Sequence, residues 1–394
     1  MKIVVLGGAG AMGRGVVRDL VTSAPGVDVV VADRNVDAAI REAGCYQPGR
    51  VEAIQADATN TSGLARILSG ADVCVNCTIH DLNLAVMEAC LSARCHYNDL
   101  GGLFFMTRKQ VALDADFKRA GLSAVLGIGS TPGTMNVLAR YAADRLDTVI
   151  SANALCAFTG TSDVNGVFVP PYALQTILEE FSVPPPEFID GEWKEVLPCS
   201  GTEEVDFFEP LGKVRCHYTL HSEPFHFATS FREKGIREAT FKLGAPKQLV
   251  DEATLLVKLG FARRDKITYA GHEISPMGFL SFMVQSQIEE NLRGVEVKLD
   301  VFNVLRADVA GKIAGRPVRY LVDALCTPRP DWPDIADAAT SIPPSICAQM
   351  QAHGTVPAGA AGAEVMLPVD AYFRELLRRP GTTIRVTRRS GPES

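Results

Sequence analysis

Three side chains in the first hundred residues are candidates to handle a proton for a reaction: His80, Asp99 and Tyr97. His80 follows Cys77-Thr78-Ile79 at the carboxyl end of Ala71 to Thr78, an apolar run that reads as a strand. An imidazole there titrates near neutral pH and can pass a proton to a reacting group. The competing reading is a solvent-facing loop residue beside the helix that Asp81 begins. Asp99 closes another strand, Cys95 to Leu100, just before Gly101-Gly102, and can either hold a cationic substrate group or cap the loop. Alternation puts Tyr97 on the same face as Asp99 and His96 on the other. Tyr97 is therefore a candidate in the same site, with core packing as its alternative. Far along the chain, His221-Ser222-Glu223 reads as the end of a strand, and Tyr269 with His272 precedes a turn. His221 and Glu223 are candidates to face a substrate across a cleft, against a structural role.

The elements that would bring a reactive partner to these groups begin at the amino end. Lys2 to Gly7 reads as a buried strand and runs into Gly8-Ala9-Gly10-Ala11-Met12-Gly13. A helical stretch, Arg14 to Leu20, follows, then a second apolar strand, Val27 to Ala32, ending on Asp33. This is the glycine fingerprint of a dinucleotide site inside a β-turn-α-β unit. Gly8 permits the tight turn, Gly10 lets the backbone approach a pyrophosphate, and Gly13 lets helix and strand pack. The helix N-terminus presents free N–H groups to the phosphates, and Ala11 and Met12, just before it, are expected to bind the cofactor. Asp33 can accept both hydroxyl protons of the adenosine ribose. Against a 2′-phosphate roughly 4–5 Å away it would cost about 3–4 kcal/mol at an effective dielectric near 20. NAD is the expected cofactor, with NADP as the alternative, because Arg34 can grip such a phosphate or stack on the adenine. Asp57 and Ala58, at the end of the third strand, are expected near the adenine, against a simple capped strand end. Cys77, Thr78 and Ile79 are expected beside the nicotinamide ribose. Thr131-Pro132-Gly133 opens a helix whose amino end can bind a carboxylate, and Asn136 can bond a carboxamide or the substrate. The alternative is a well-capped helix with proline at its start.

Strands and helices continue to alternate. Arg50–Asp57, Ala71–Thr78, Cys95–Leu100 and Ser123–Ile128 read as strands, with helices over Asn35–Ala43, Thr61–Leu68, Leu82–Ala93, Phe105–Ala120 and Thr134–Leu146. The order predicts an α/β, Rossmann-type doubly wound parallel sheet over residues 1–147. From 148 to 327 strand-like runs dominate: Val149–Phe158, Val214–Leu220, Arg237–Leu243, Val295–Ala307 and Pro317–Leu325. Helices over Ala173–Phe181, Gln248–Leu259 and Pro276–Asn291 would cover them, giving a second, mixed-sheet α+β domain for substrate and dimerisation. Pro328 to Pro333 reads as a linker, and residues 328–394, helical at Ser341–His353 and Ala371–Arg379, as a segment returning to the first domain.

A chain of 394 residues with net charge −7 and no long basic run argues against a nucleic-acid or anionic-membrane surface. Arg378, Arg379, Arg385, Arg388 and Arg389 read as a solvated helix face and a frayed tail. No apolar run reaches membrane-spanning length and no signal peptide is visible. Ten cysteines without framework spacing fit a reducing cytoplasm. Cys74 and Cys77 have metal-like spacing, but a three-residue offset on a strand points them to opposite faces, so no metal site is expected.

The run Ala71-Asp72-Val73-Cys74-Val75-Asn76-Cys77-Thr78, then Leu82 to Cys90, His96-Tyr97-Asn98-Asp99-Leu100-Gly101-Gly102 and Gly129 to Ala139, resembles the saccharopine dehydrogenase-like family. The Glu364–Arg379 stretch resembles the family's closing segment, while the middle domain resembles it only at Tyr218–Glu223 and Ile274-Ser275-Pro276. The resemblance implies an NAD(P)-dependent oxidoreductase of an amine or amino acid, working as a homodimer. A carbon beside nitrogen would exchange hydride with the nicotinamide. Asp99 or His80 would then take the proton of an ammonium whose reference pKa is about 10.4. Near Phe241-Lys242-Leu243-Gly244 the arginine and tyrosine pattern of lysine 6-dehydrogenases is missing, which leaves the substrate open. Two other readings stand beside this one. The first is a redox-neutral, NAD-retaining amine transferase or cyclodeaminase-like enzyme, separable by absorbance at 340 nm. The second is a non-enzymatic NAD(H)-binding module, which a cleft without polar groups would favour.

Overall fold

The computed structural model describes residues 1–293, 301–332, 335 and 337–391. The first domain alternates short apolar strands with helices. Its strands are β1 (Lys2–Leu6), β2 (Asp28–Asp33), β3 (Val51–Gln55), β4 (Val73–Asn76), β5 (His96–Asp99) and β6 (Ser123–Leu126). Around them run α1 (Ala11–Ser23), α2 (Val36–Ala43), α3 (Thr61–Leu68), α4 (Asn83–Ala93), α5 (Leu103–Val111), α6 (Asp114–Ala120) and α7 (Thr134–Ala143). A 3-10 turn, His80–Leu82, leads from β4 into α4. β1 is buried on both faces, as its unbroken Ile3-Val4-Val5-Leu6 requires, and pairs in parallel with β2 and β4. The helix expected over Phe105–Ala120 is two helices. Asp114 starts the second, and its carboxylate accepts the Ala360 N–H at 2.9 Å, so a long-range contact sets the break.

The second domain begins with β7 (Thr148–Phe158) and a small hairpin, β8 (Asp163–Val164) and β9 (Val167–Phe168). It continues with α8 (Leu174–Ser182), β10 (Pro186–Ile189), β11 (Glu192–Glu195), β12 (Glu203–Asp206), β13 (Lys213–Tyr218) and α9 (Glu223–Ser230). Then come β14 (Glu238–Gly244), α10 (Lys247–Lys258), the hairpin β15 (Ile267–Tyr269) and β16 (His272–Ile274), α11 (Pro276–Asn291), β17 (Asn303–Ile313) and β18 (Arg316–Cys326). Its sheet is mixed, with β7 parallel to β14 and antiparallel to β17. The strand expected over Val295–Ala307 starts only at Asn303, and residues 294–300 lie outside the described residues, as does Pro333 of the expected linker. His221–Glu223 does not end a strand. β13 stops at Tyr218, and Glu223 opens α9 with Pro224 behind it, a residue that suits a first helical turn.

The remaining chain is α12 (Ala338–Ala352), β19 (Gly359–Gly362), α13 (Ala363–Met366), α14 (Val369–Leu377) and β20 (Thr382–Ser390). It serves both sheets. β19 extends the first in parallel beside β6, giving the order β19-β6-β5-β4-β1-β2-β3 among the described residues. β20 pairs antiparallel with β18 at the edge of the second sheet, whose main path is β11-β10-β14-β7-β17-β18-β20. The arginines expected on a helix and a frayed tail are thus split. Arg378 and Arg379 close α14, while Arg385, Arg388 and Arg389 lie on an edge strand, where charge discourages further pairing. Buried polar groups lock the return in place. Ser345 and Arg379 both bond Asp19 of α1 (2.7 and 2.9 Å), and Gln351 donates to Tyr97 O (2.9 Å).

A second lock joins three segments. Glu364 of α13 accepts hydrogen bonds from Asn136 of α7 (2.8 Å) and Ser230 of α9 (2.7 Å), and lies 3.4 Å from His226 Nδ1. Both members of the His226–Glu364 pair are buried. Burial alone would raise the Glu364 pKa, but His226, Ser230 and Asn136 outweigh it and hold the carboxylate at about 2. Burial would lower His226, and Glu364 overrides it, so the imidazole is shifted upward.

Candidate functional site

The glycine turn is shaped by contacts that only hydrogen allows. A Cβ at Gly13 would stand 2.7 Å from Gly8 Cα and overlap the Gly7 carbonyl, so α1 rests directly on the turn. At Gly7 (φ +73°) a Cβ would meet Cys77 O at 3.0 Å, which brings the end of β4 against the same turn. Gly10 caps α1 without a side chain, and no acid lies in the first turn, leaving the N–H groups of Ala11, Met12 and Gly13 for an anion. Asp33 accepts the N–H groups of Ala9 (3.3 Å) and Asn35 (3.0 Å), which sets its carboxylate beside the turn. This combination of bare backbone, helix start and strand-end acid fits a nicotinamide dinucleotide.

A cleft of about 270 Å³ opens where the carboxyl ends of β4 and β6 meet the second domain. Met12 and Cys77 to His80 line one wall, and Tyr172, Glu180 and His221 line the other. The second wall carries a chain of buried polar groups. Tyr172 donates to Glu180 Oε2 at 2.5 Å, Glu180 Oε1 lies 3.7 Å from His221 Nε2, and His221 Nδ1 lies 2.5 Å from Glu223 Oε2. Thr131 donates to the other oxygen of Glu223, and Phe241 stacks on the imidazole at 3.9 Å. Burial pushes the Glu180 pKa up to about 7; His221 and Tyr172 restrain it, and Glu223 and Glu179 add to it. Burial would likewise raise Glu223, but His221 and Thr131 outweigh it and hold Glu223 ionised. Burial would lower His221, and the two glutamates reverse that, keeping it cationic. The array therefore pairs a fixed imidazolium–carboxylate couple with one carboxyl group that titrates near neutrality, a pattern suited to acid–base chemistry.

Comparison with known proteins bears on this arrangement. The family model for the saccharopine dehydrogenase NADP binding domain matches residues 3–125. The amino-terminal part of the chain is similar to that binding domain. The chain is 25% identical to a carboxyaminopropylagmatine dehydrogenase from Synechocystis over 75% of each chain. It is 30% identical to a carboxynorspermidine synthase from Vibrio cholerae over 44% of each. A saccharopine dehydrogenase (L-Glu forming) from Saccharomyces cerevisiae shares its fold, with a TM-score of 0.71 at 15% identity, covering 98% of this chain and 99% of that one. A match to an NADP binding domain, together with a dehydrogenase among the relatives, supports a nicotinamide cofactor, NAD or NADP.

Around the cleft the expected residues separate into two groups. Met12, Cys77, Thr78, Ile79, His80, Thr131, Pro132 and His221 line the cleft, and Glu223 stands directly behind His221. Others are turned away from it. Asp99 is buried and accepts bonds from Gln110 (2.5 Å), Tyr97 (2.7 Å), Gly127 N–H (2.7 Å) and Gly101 N–H (2.9 Å). This corrects the expectation that Asp99 holds the substrate: its oxygens are committed to the loops that form the floor. Tyr97 is fully buried against Asp99 and Asn76, which corrects its catalytic reading as well. Gly133 caps α7, and its N–H donates to Asn136 Oδ1 at 3.0 Å, while the Asn136 amide donates to Glu364, so neither faces the cleft. Asp57 turns onto Thr59 N–H (2.9 Å), Ala58 is buried, and the Arg34 carbonyl accepts from Gln55 (3.2 Å).

Sequence reasoning missed Tyr172, Glu180, Asp337 and Thr340, all of which line the cleft. For Glu180 a signal existed. Ile177, Leu178 and Phe181 bury one face of α8, and Glu180 lies three residues past Ile177, on that same face. An acid at a core position of an amphipathic helix needs a reason. Asp337 is the cap of α12, accepting Thr340 N–H at 3.0 Å, and nothing local distinguishes it from an ordinary cap.

Proposed function

We propose that this chain is a nicotinamide-dependent dehydrogenase of a carbon–nitrogen bond, acting on an amine of the carboxyalkyl-polyamine kind named for its relatives. The observation that carries the proposal is the buried Glu180–His221–Glu223 array across the cleft from Cys77 to His80. When bound, the cofactor supplies the hydride acceptor or donor. Glu180 takes the proton that an ammonium must lose before its carbon can give up hydride, and returns it in the reverse direction. His221, fixed by Glu223 and the Phe241 stack, keeps a positive charge beside Glu180 and holds it at a useful pKa. Among the described residues lining the cleft there is no lysine or arginine, while Glu180 and Asp337 are present. With His221 in the same lining, that balance suits a substrate carrying a cationic nitrogen, and the relatives' names suggest a polyamine. The polar wall also argues against a passive NAD(H)-binding module.

The direct test is absorbance at 340 nm with a panel of carboxyalkylated diamines and polyamines, lysine and saccharopine, each with NAD(H) and NADP(H). We expect turnover with the polycationic members; selective turnover of saccharopine would refute the substrate class. NAD is proposed as the preferred cofactor because Asp33, held beside the glycine turn at the end of β2, would repel a 2′-phosphate bound there. Asp33→Ser should shift the NADP-to-NAD ratio of kcat/KM upward by about tenfold or more, and an unchanged ratio would reject the assignment. We also propose a homodimer in a reducing cytoplasm. Ten unpaired thiols support the compartment, and Phe279 and Phe282, exposed on α11, offer apolar surface for a second copy. Among the described residues no helix is long and apolar enough to cross a membrane.

A further inference from the structure

His80 belongs to the cleft and also to a bridge between the domains. Its Nε2 lies 3.1 Å from Glu179 Oε2 on α8, and the side chains of both are almost wholly buried. Glu179 is held in turn by Arg264 (2.5 Å) and by the Gln175 amide (3.0 Å). The same two residues reach Asp81, the neighbour of His80, at 3.3 and 3.0 Å. Burial would raise the pKa of Glu179, but His80, Gln175 and Arg264 prevail and keep it below the usual range. Two first-domain residues, His80 and Asp81, are thus clamped by three from the second domain. They continue the segment Cys77-Thr78-Ile79, which borders both the glycine turn and the cleft. The adenosine end is different. Asp33 and the glycine turn are organised by first-domain hydrogen bonds such as Asp33 to Ala9 and Asn35, and Gly10 to Gly7.

We propose that Glu179, acting through His80, is a positioning residue for the nicotinamide half of the cofactor, so that the second domain fixes one end of the dinucleotide and not the other. This deepens the function proposed above and rests on it. A charge-assisted hydrogen bond from His80 Nε2 to the buried Glu179 carboxylate orients the imidazole and, through the short 3-10 turn, the backbone of residues 77–80. Glu179→Gln keeps the shape and removes the charge.

Calorimetric titration of wild type and variant with NADH and with ADP, which lacks both the nicotinamide and its ribose, separates the two ends. The variant is expected to bind NADH about tenfold more weakly while its ADP affinity stays within about twofold. Arg264→Ala, which alters a side chain that is 58% exposed, should change NADH binding in the same selective direction by a smaller factor. Equal weakening of both ligands, or no change in either, overturns the positioning role while leaving the enzyme assignment intact. A wild-type protein that binds neither ligand overturns both.

Discussion

Glu180→Gln is expected to lower kcat for amine oxidation by about 10²- to 10³-fold, the usual effect of deleting a positioned acid–base group. The wild-type Glu180 carboxyl group has its pKa pushed up to about 7 by burial. Its base form therefore accumulates as pH rises through about 7, and oxidation should rise over that same interval. The glutamine variant should lose this acidic limb. His221 is one of the groups that restrain the Glu180 pKa, so His221→Asn should move the limb to higher pH as well as reduce the rate. Steady-state pH profiles of the three proteins provide the check. A glutamine variant within threefold of wild type, with its acidic limb in place, would remove Glu180 from the mechanism.

Glu364→Gln should cost about 3–5 kcal/mol of folding stability, the range for breaking one side of a buried ion pair. The loss should depend on pH in a defined way. Glu364 is held at about 2, below its ordinary value near 4.3, so its contribution is present above that ordinary value and fades as pH falls through about 2. His226 is shifted upward from an ordinary value near 6.5, so its contribution is complete below that value and is lost as pH rises through the raised one. The gap between wild type and variant should be widest from about pH 4.5 to 6.5. Urea melts at pH 3, 5.5 and 9 would reveal it, and a gap that stays constant across those conditions would show that the pair is not the cause. Because Glu364 joins α7, α9 and α13, the variant should also lose cooperativity between the domains.

The nucleotide half of this molecule could be read from local pattern because each of its devices is local. The glycine turn, α1, β2 and Asp33 fall within one continuous unit, and β1 and β2 are marked by the buried apolar runs Ile3 to Leu6 and Val29 to Ala32. The acid–base wall is assembled from α8, the loop after β13 and the start of α9, with Thr131 from the other domain, so no sequence spacing encodes it. Asp99 was misread for a related reason. Its place at a strand end was right, but Gln110, Gly101 and Gly127 consume its oxygens, and only the tertiary structure brings them there. β20 was misread because three arginines among polar residues look solvated, and an edge strand is solvated along one side.

The return of the late segment also constrains when this protein can become whole. Gly359 to Gly362 supplies the outer strand of one sheet, and Thr382 to Ser390 borders the other. Both are synthesised after every neighbour they must join, so on the ribosome each half waits with a bare margin until these late residues have emerged. A nascent chain stalled before Gly359 would present both open borders together, and that is the stage at which chaperone protection should matter most.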